Sequence, residues 1–320
     1  MTDLSIYDRQ DSTKGNDPDR VVISAALTGA LTTRDQCPAI PYTPEEIAAE
    51  AAAAREAGAA VAHIHARTDN GAPTFETETY REIYEAVRER TDILVNFSTG
   101  AIDTPVADRV DYVREVRPDV AALNMGSMNY AIYSESREDF VFDMVFENDF
   151  DTIERFLTAM REAGVTPELE CFDTGHVGNA RPFQREGLLP PDPHFSLVMG
   201  VLGGIPATVE NLAHQVRQLP DGATWQVIGI SRDQWALSAA ALAMGGNVRV
   251  GLEDNFYLPD GEMAESNADL VAAAVDLAAS VGREPATPDE ARDILGVGEA
   301  GGGGGGGGER NGGGGGGGDL

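Results

Sequence analysis

The sequence predicts a single α/β domain with the (β/α)8 TIM-barrel fold, on three observations. The length of 320 residues fits one large barrel domain. From residue 21 to residue 251, short β-rich apolar runs alternate with helical patterns, which is typical of parallel βαβ units. Eight strand-like runs occur in that interval, and eight strands suit a closed barrel.

The predicted strands are apolar, β-rich segments followed by polar or glycine-containing turns, at residues 21–26, 60–65, 93–98, 120–124, 167–172, 195–201, 224–230 and 248–252. The clearest helix between them begins at Thr43, with Pro44 in its first turn and Glu46 three positions on, and its alanine-rich run ends at Gly58. Further helices are predicted from the spacing of their apolar residues, at 77–90, 108–116, 150–163, 208–218, 234–244 and 267–281.

A doubly wound open sheet is the competing fold. Its nucleotide-binding version requires a GxGxxG turn after the first strand, whereas this strand ends in Thr28-Gly29-Ala30. The dinucleotide fingerprint is therefore absent, and the barrel is the favoured fold.

The domain boundaries follow from changes in composition. Residues 1–20 form a polar N-terminal extension, 21–297 a single catalytic barrel, and 298–320 a nearly pure glycine tail that is expected to be disordered. The connection at 132–148 is longer than a typical βα loop and predicts a lid or a subunit contact. The segment from Gly200 to Gly204 predicts either a close approach of a large ligand to the backbone or a tight turn.

The charge balance limits the possible partners. The chain carries 53 acidic and 23 basic residues, a net charge of −30, and Lys14 is its only lysine. Such a surface repels nucleic acid and anionic membranes, and it resembles the surfaces of proteins from salt-accumulating halophiles. No window has the apolar length of a membrane helix, and residues 1–20 have no signal-peptide pattern, so a cytoplasmic location is expected. Cys37 and Cys171 form no spaced cluster, so no disulfide framework is expected.

Two histidines at the end of the second strand predict a metal site. His63 and His65 are two positions apart on a strand, so both side chains point to the same face. The C-terminal ends of barrel strands line the active site, and an imidazole pair with a carboxylate is a common Zn²⁺ ligand set. A pair of hydrogen-bonded core histidines is the alternative.

A second group of candidate functional residues lies at the end of the last predicted strand. Arg249, Gly251 and Glu253 are expected to alternate onto one face, which would let the Glu253 carboxylate complete the metal site. The adjacent Asp254 is a candidate general base, provided that its environment adjusts its pKa. An exposed acidic loop is the alternative in a chain as acidic as this one.

Small polar residues and glycines follow two other strands. Ser98 is a candidate catalytic residue, and Thr99, Gly100, Asn124 and Gly126 are candidate substrate-binding residues, because hydroxyl and amide groups orient carboxylates and carbonyls. Ordinary turn chemistry accounts for the same residues equally well.

The fifth strand contributes further acidic groups. Glu168 and Glu170 share one face of it, with His176 close behind, and Glu170 is a candidate catalytic residue. Of the remaining histidines, His194 precedes a strand and His214 lies within a helix, so both are expected to be structural or exposed.

Taken in order, these pieces resemble the beta-keto acid cleavage enzyme family over about residues 21–296. The resemblance rests on short segments that follow one another along the chain: Thr28-Gly29-Ala30 with Thr32-Thr33-Arg34, His63-Ile64-His65, Ser98-Thr99-Gly100, Leu123-Asn124-Met125-Gly126, Pro167-Glu168-Leu169-Glu170, Gly229-Ile230-Ser231-Arg232, Gly251-Leu252-Glu253-Asp254-Asn255 and Glu265-Ser266-Asn267.

The resemblance implies a Zn²⁺-dependent reaction in which a β-keto acid and the co-substrate acetyl-CoA give acetoacetate and a new acyl-CoA. It implies that His63, His65 and Glu253 bind the metal, and that Asp254 is the base, positioned by Arg249 and Ser98. It also implies a homo-oligomer, most simply a homotetramer. The same ligands accept other divalent ions, so manganese and cobalt stay open.

One position departs from the family pattern. Leu31 stands where the member that cleaves 3-keto-5-aminohexanoate carries a glutamate that meets the substrate's ammonium group. A leucine cannot pair with a cation. We therefore expect Leu31 to contact a neutral, alkyl-type substituent of the keto acid.

Two other functions are compatible with the same residues. A metal-dependent aldolase or hydrolase would use two histidines and a carboxylate without any need for a thioester. A non-catalytic barrel with a structural metal would require a closed shell of four protein ligands, and the sequence offers no obvious fourth.

Overall fold

The structure is a computed structural model, which describes residues 12–101 and 104–298. In this part of the chain eight parallel strands form a closed barrel in the order β2-β3-β4-β5-β8-β9-β10-β11 and back to β2. The predicted TIM barrel is confirmed. Residues 1–11 of the predicted N-terminal extension and 299–320 of the predicted glycine tail lie outside the described residues.

The strands of the described ranges are β1 (Arg20–Val21), β2 (Ile23–Ala26), β3 (Val61–Ile64), β4 (Leu94–Ser98), β5 (Val120–Asn124), β6 (Met128–Ser134), β7 (Asp139–Phe146), β8 (Thr166–Cys171), β9 (His194–Met199), β10 (Thr224–Gly229), β11 (Asn247–Val250) and β12 (Glu284–Pro285). The helices are α1 (Pro44–Ala57), α2 (Thr77–Arg90), α3 (Val106–Val116), α4 (Phe150–Ala163), α5 (Thr174–Arg185), α6 (Val209–Gln218), α7 (Gln234–Ala243), α8 (Asn267–Ser280) and α9 (Pro288–Leu295), with one 3-10 turn at Ser231–Asp233.

Helix α1 shows how local sequence defines an element. The Thr43 side chain accepts a hydrogen bond from the Glu46 backbone N–H at 3.3 Å, and the Glu46 carboxylate accepts one from the Thr43 N–H at 3.1 Å. Pro44 occupies the first turn, and Gly58 ends the helix with a φ of 120°. The capping box and the glycine stop therefore lie where the sequence predicts them.

Helices α5 and α9 are absent from the sequence-based assignment. Helix α5 contains Gly175, Gly178 and Pro182 within 12 residues, which gives it a low intrinsic helix propensity. Its buried face holds it in place, because His176 and Phe183 pack inward. Tertiary packing therefore overrides local propensity here.

The long connection after β5 is a β-hairpin. Strands β6 and β7 pair antiparallel, with Met128 opposite Phe146. The segment from Gly200 to Gly204 supports this hairpin, since a Cβ on Gly203 would lie 1.9 Å from the Asn129 carbonyl oxygen and Ala131 bridges to Leu202. The close approach at Gly203 is therefore made by the backbone of β6.

The opposite end of the barrel is covered by the N-terminal segment. The buried Asn16 side chain exchanges hydrogen bonds with the backbone of Trp225 at 2.9 and 3.1 Å, and the Asn16 side-chain oxygen also accepts one from the Asn247 side-chain amide. His194 is buried nearby, 3.0 Å from the Thr224 hydroxyl, whereas His214 is exposed on α6. Among the described helices, none has the length and apolar character needed to cross a membrane.

Candidate active site

The two histidines and the predicted third ligand meet at the C-terminal end of the barrel. His63 lies on β3, His65 follows its last residue, and Glu253 lies in the turn after β11. The Glu253 carboxylate oxygen Oε1 is 3.6 Å from His63 Nε2 and 3.4 Å from His65 Nε2. One ligand atom from each residue lies within 4.8 Å of the other two. These distances bring the three groups close enough to share one metal ion.

The backbone around this cluster holds the ligands in place. The Thr28 hydroxyl donates to the His65 carbonyl at 2.9 Å and accepts from the His65 N–H at 2.8 Å. The Gly29 N–H donates to the second Glu253 oxygen, Oε2, at 3.1 Å. Because Gly29 has a φ of 63° and a Cβ there would lie 2.9 Å from the Glu253 side chain, this approach favours glycine.

The expected strand alternation through Gly251 is wrong, although the residues it was meant to unite do meet. Strand β11 ends at Val250, because Gly251 has a φ of 143° and a Cβ there would lie 2.2 Å from the Ala26 carbonyl oxygen. The chain turns sharply at this glycine. Glu253 is therefore presented by a turn, and it returns to within 2.7 Å of Arg249.

Arg249 is the centre of a buried cluster of carboxylates. Its guanidinium donates two hydrogen bonds to Asp254, both at 2.8 Å, one to Glu253 at 2.7 Å and one to Glu170 at 3.2 Å. The Arg249 side chain is only 3% exposed. A planar guanidinium with five donors suits such a set of partners.

The environment gives these carboxylates different proton affinities. Burial raises the pKa of Glu170 to about 7, despite the opposing charge of Arg249. Burial also raises the pKa of Asp254, against the attraction of Arg249. For Glu253, burial is outweighed by Arg249 and the two histidines, so its pKa lies well below the usual range. Glu253 is thus held ionised, as a metal ligand must be.

A second polar network lies deeper in the barrel, around Glu168. This buried carboxylate accepts hydrogen bonds from Asn96, from the Ser196 hydroxyl at 2.6 Å and from the Gln226 amide at 3.1 Å. Ser24 in turn donates to the Gln226 carbonyl oxygen at 2.9 Å. The two acidic residues of β8 therefore have separate surroundings, with Glu168 in the barrel interior and Glu170 at the ion cluster.

A cavity of about 1010 Å³ opens above the cluster. Most of the predicted site residues border it: Leu31, His65, Ser98, Gly100, Asn124, Glu170, Arg249, Glu253 and Asp254. The side-chain amide oxygen of Asn124 is buried without a hydrogen-bond partner among the described residues. Such an acceptor is available to a ligand.

Three predicted residues do not border the cavity. His63 lies beneath it, within the metal-ligand cluster. The Thr99 hydroxyl instead donates to the Ala122 carbonyl at 2.5 Å. Gly126 faces His176, and a Cβ there would lie 2.5 Å from that imidazole ring. The structure thus gives Thr99 a hydrogen bond and Gly126 a packing contact, and places neither at the cavity wall.

Sequence reasoning missed much of the apolar wall. Tyr130, Met144 and Phe146 of the hairpin border the cavity, as does Phe172 after β8. Tyr130 lies 5.8 Å from Phe146 between ring centroids, and burial together with nearby carboxylates raises its pKa to about 12. The long connection after β5 was the available signal, but its strand pairing was not recognised.

The fold and the site together define a (β/α)8-barrel protein with a candidate metal centre beneath a deep cavity. Residues 20–297 match the family model described as beta-keto acid cleavage enzyme. The chain therefore belongs to the beta-keto acid cleavage enzyme family. The family and the class of reaction predicted from the sequence are confirmed.

Individual relatives agree with this assignment. The chain is 40% identical over 279 residues to the 3-keto-5-aminohexanoate cleavage enzyme of Fusobacterium nucleatum, covering 87% of this chain and 98% of the relative. It is 36% identical over 296 residues to the 3,5-dioxohexanoate:acetyl-CoA acetone transferase of Paraburkholderia graminis, covering 86% and 95%. The apo structure of ObcA matches with a TM-score of 0.69 and 22% identity, over 82% of this chain and 66% of that one, and supports the fold.

Proposed function

We propose that the chain binds a divalent metal ion, best matched by Zn²⁺, and converts a neutral β-keto acid and acetyl-CoA into acetoacetate and a new acyl-CoA. The observation that carries the proposal is the meeting of three metal-ligand groups with the Arg249–Asp254 pair at one cavity. The use of acetyl-CoA is supported by the name of the Paraburkholderia relative.

The residues present fit a metal ion. Both ring nitrogens of His63 are buried and have no hydrogen-bond partner among the described residues, an arrangement that costs about 1–3 kcal/mol for each buried group left unpaired. Among the described residues, no fourth protein ligand joins the two imidazoles and the carboxylate. Three protein ligands with an open position are typical of catalytic zinc sites, which favours a catalytic ion over a structural one.

When bound, the ion would supply Lewis acidity to the carboxylate and ketone oxygens of the keto acid. The chain's own residues do the remaining work. Arg249 fixes the Asp254 carboxylate, which removes a proton from the carbon between the carboxylate and the ketone. The Ser98 hydroxyl and the Asn124 amide border the same cavity and orient the substrate.

The acyl exchange then balances in two steps. The carbanion forms a carbon–carbon bond to the acetyl carbonyl, and the CoA thiolate leaves. That thiolate attacks the original ketone carbon, and the bond between this carbon and the carboxylate-bearing carbon breaks. Asp254 returns its proton to the departing carbanion, which gives acetoacetate and the new acyl-CoA. Glu170, with a pKa of about 7, is a second group able to exchange protons with bound reactants near neutral pH.

The cavity wall supports a neutral substituent on the keto acid. Leu31 borders the cavity at 45% exposure, and the hairpin contributes Ile132, Met144 and Phe146. An ammonium group in contact with these four side chains would lose part of its hydration without gaining a hydrogen bond from them. An alkyl group would gain from the same burial.

The test is a mass-spectrometric screen at high KCl. Purified protein, Zn²⁺ and acetyl-CoA are mixed with neutral, anionic and cationic β-keto acids, and the His63→Ala, His65→Ala double variant serves as control. We expect acetoacetate and one matching acyl-CoA from the wild type with a neutral keto acid. Loss of keto acid without acetyl-CoA would instead indicate an aldolase or a hydrolase.

We also infer a homo-oligomer. One face of the hairpin lines the cavity. The side chains of Phe140 and Val145, both on β7 of the hairpin, are 52% and 58% exposed, and the neighbouring Leu202 is 51% exposed. Contiguous apolar exposure of this kind is typical of subunit contacts. A homotetramer with these hairpins buried is the arrangement we propose.

A further inference from the structure

Among the described residues that line the cavity, Arg249 is the only arginine or lysine, and three carboxylates already neutralise it. The described part of the wall therefore lacks free positive charge. Glu76, Asp108 and Asp111 also border the cavity and are exposed, so they mark its mouth. Coenzyme A carries a pyrophosphate and a 3′-phosphate, which these carboxylates would repel. The phosphates must therefore leave the cavity on another side.

Arg232 lies at a different part of the cavity, beside Tyr257. It follows β10 and is exposed, and it forms no ion pair with any residue that the structure describes. Its guanidinium carbon lies 4.4 Å from the ring centroid of Tyr257, a residue of the cavity wall. A Cβ on Gly261 would lie 3.9 Å from the Arg232 nitrogen Nη1. The guanidinium thus rests on the loop after β11 with its remaining donors free.

Hydrogen bonds hold Tyr257, the aromatic platform on which Arg232 rests, in place. The Tyr257 carbonyl accepts hydrogen bonds from the Asn255 amide at 2.7 Å and from the Trp235 indole at 2.8 Å. On the other side, the Ser231 N–H donates to the Asp254 carbonyl at 2.8 Å, and Ser231 has a φ of 61°. A left-handed conformation is costly for serine. These contacts tie the backbone beside Arg232 to that of the proposed base.

The position also fits a general feature of the fold. Strands β10 and β11 are the seventh and eighth of the barrel in chain order. The loops after these two strands frequently form a phosphate site in (β/α)8 barrels. Here one loop carries the free guanidinium and the other carries its aromatic platform.

We propose that Arg232, resting on Tyr257, binds a phosphate group of coenzyme A on the Tyr257 side of the cavity. This inference rests on the proposed use of acetyl-CoA. Arginine suits the task because its planar donors match phosphate oxygens, and stacking on an aromatic ring leaves those donors exposed. A thioester tethered there extends along the Tyr257 side of the cavity towards Asp254.

Calorimetric binding to zinc-loaded protein tests the proposal without any need for turnover. CoA, dephospho-CoA and pantetheine are titrated into wild type, Arg232→Gln and Arg217→Gln at low and high KCl. Arg217 is a matched control, because it is exposed in the last turn of α6, on the outside of the barrel, and has no ion pair among the described residues. The dephospho-CoA titration separates the 3′-phosphate from the pyrophosphate.

We expect Arg232→Gln to weaken CoA binding about tenfold at low salt, and less at high salt because salt screens the contact. Pantetheine binding is expected to be unchanged, and Arg217→Gln is expected to behave like wild type. Equal weakening of CoA and pantetheine, or unchanged CoA binding, overturns the proposal. If Arg232→Gln binds CoA as tightly as wild type and acyl exchange is intact, the Arg232 site is rejected and the proposed function stands. If Arg232→Gln weakens CoA binding but wild type catalyses no acyl exchange, the Arg232 site stands and the proposed reaction is rejected.

Discussion

Arg249 and Asp254 form a bidentate ion pair, with both oxygens of the carboxylate 2.8 Å from guanidinium nitrogens. The turn at Gly251 brings the two side chains together, although they are five positions apart. The same guanidinium also contacts Glu253 and Glu170. Arg249 therefore links the proposed base to the proposed metal site.

Arg249→Lys is expected to separate these functions. A lysine keeps the charge but cannot donate in a plane to Asp254 and reach two further carboxylates. We expect kcat/KM for acyl exchange to fall about 100-fold, the cost of a base displaced by about 1 Å, while zinc content stays at the wild-type level. Steady-state kinetics and elemental analysis provide the two measurements.

Arg283→Lys is the matched control for that variant. Arg283 is also buried, but its guanidinium donates to the backbone carbonyls of Gly246, Asp17 and Arg20, at the far end of the barrel. It should lower the free energy of unfolding and leave kcat unchanged. An Arg249→Lys enzyme with activity within threefold of wild type would contradict the proposed role of the bidentate pair.

His63→Ala is expected to abolish metal binding. Its imidazole is buried beside the Glu253 carboxylate, with no hydrogen-bond partner among the described residues, and alanine supplies no ligand atom in its place. After dialysis against buffered Zn²⁺, we expect about one equivalent in the wild type and almost none in the variant, and only the wild type should gain thermal stability from added metal. His214→Ala, on the exposed face of α6, should behave like the wild type. Full zinc occupancy in a folded His63→Ala protein would rule out this metal site.

Glu168→Gln is expected to destabilise the barrel. Each Glu168 oxygen accepts a hydrogen bond from a buried donor, Asn96 on one side and Ser196 with Gln226 on the other. The NH2 group of a glutamine side chain would face one of these hydrogen-bond donors and could not accept a hydrogen bond from it. We expect a loss of about 2 kcal/mol in the free energy of unfolding at pH 7, as for a buried group left unsatisfied.

The Glu168→Gln difference should depend on pH. Burial acts to raise the pKa of Glu168, but His194, His63 and Arg249 hold it below the usual value. A carboxyl group with a depressed folded-state pKa stabilises the protein above its unfolded pKa of about 4.3, and this contribution is lost as pH falls. Urea titrations at pH 7 and near pH 3.5 should show the difference shrinking. A constant difference would mean that the carboxylate charge does not contribute.

Periodicity and the positions of polar residues were enough to predict the barrel and to place His63 and His65 on one face of a strand. The alternation of apolar runs located the barrel strands to within a few residues, because those strands are short and buried on both faces. His63 and His65 were assigned to the same face by the period of two, which holds wherever a strand is regular.

The sequence did not predict contacts that depend on tertiary structure. Glu253 was assigned to a continuing strand, whereas the close approach of Gly251 to the Ala26 carbonyl turns the chain before it. Tyr130 was missed because its role depends on pairing of β6 with β7 and on the fold of the hairpin over the barrel mouth. Local periodicity carries no information about either contact.

Val145→Asp tests the proposed subunit contact. Val145 is 58% exposed in the single chain, so an aspartate there should not disturb folding, but it would place a charge in a buried interface. We expect light scattering to give an oligomer for the wild type and a smaller species for the variant. Val209→Asp, at an equally apolar position that is 46% exposed on α6, is the control. An unchanged mass for Val145→Asp would exclude this face from the assembly.

Leu31→Glu is expected to change substrate preference towards cationic keto acids. Leu31 borders the cavity and is 45% exposed, and a carboxylate there would pair with an ammonium substituent in a site that binding partly shields from water. We expect the ratio of kcat/KM for a cationic to a neutral β-keto acid to rise about tenfold, the effect of 1.4 kcal/mol.

Leu31→Gln separates charge from polarity in this experiment. Glutamine has nearly the shape of glutamate but no charge, so it should weaken turnover of the neutral substrate without improving that of the cationic one. If both variants change the ratio equally, loss of the apolar side chain is the cause, and charge pairing is not. If wild type already prefers the cationic substrate, Leu31 does not select against it, and the exposed carboxylates Glu76, Asp108 and Asp111 at the cavity mouth become the groups to substitute next.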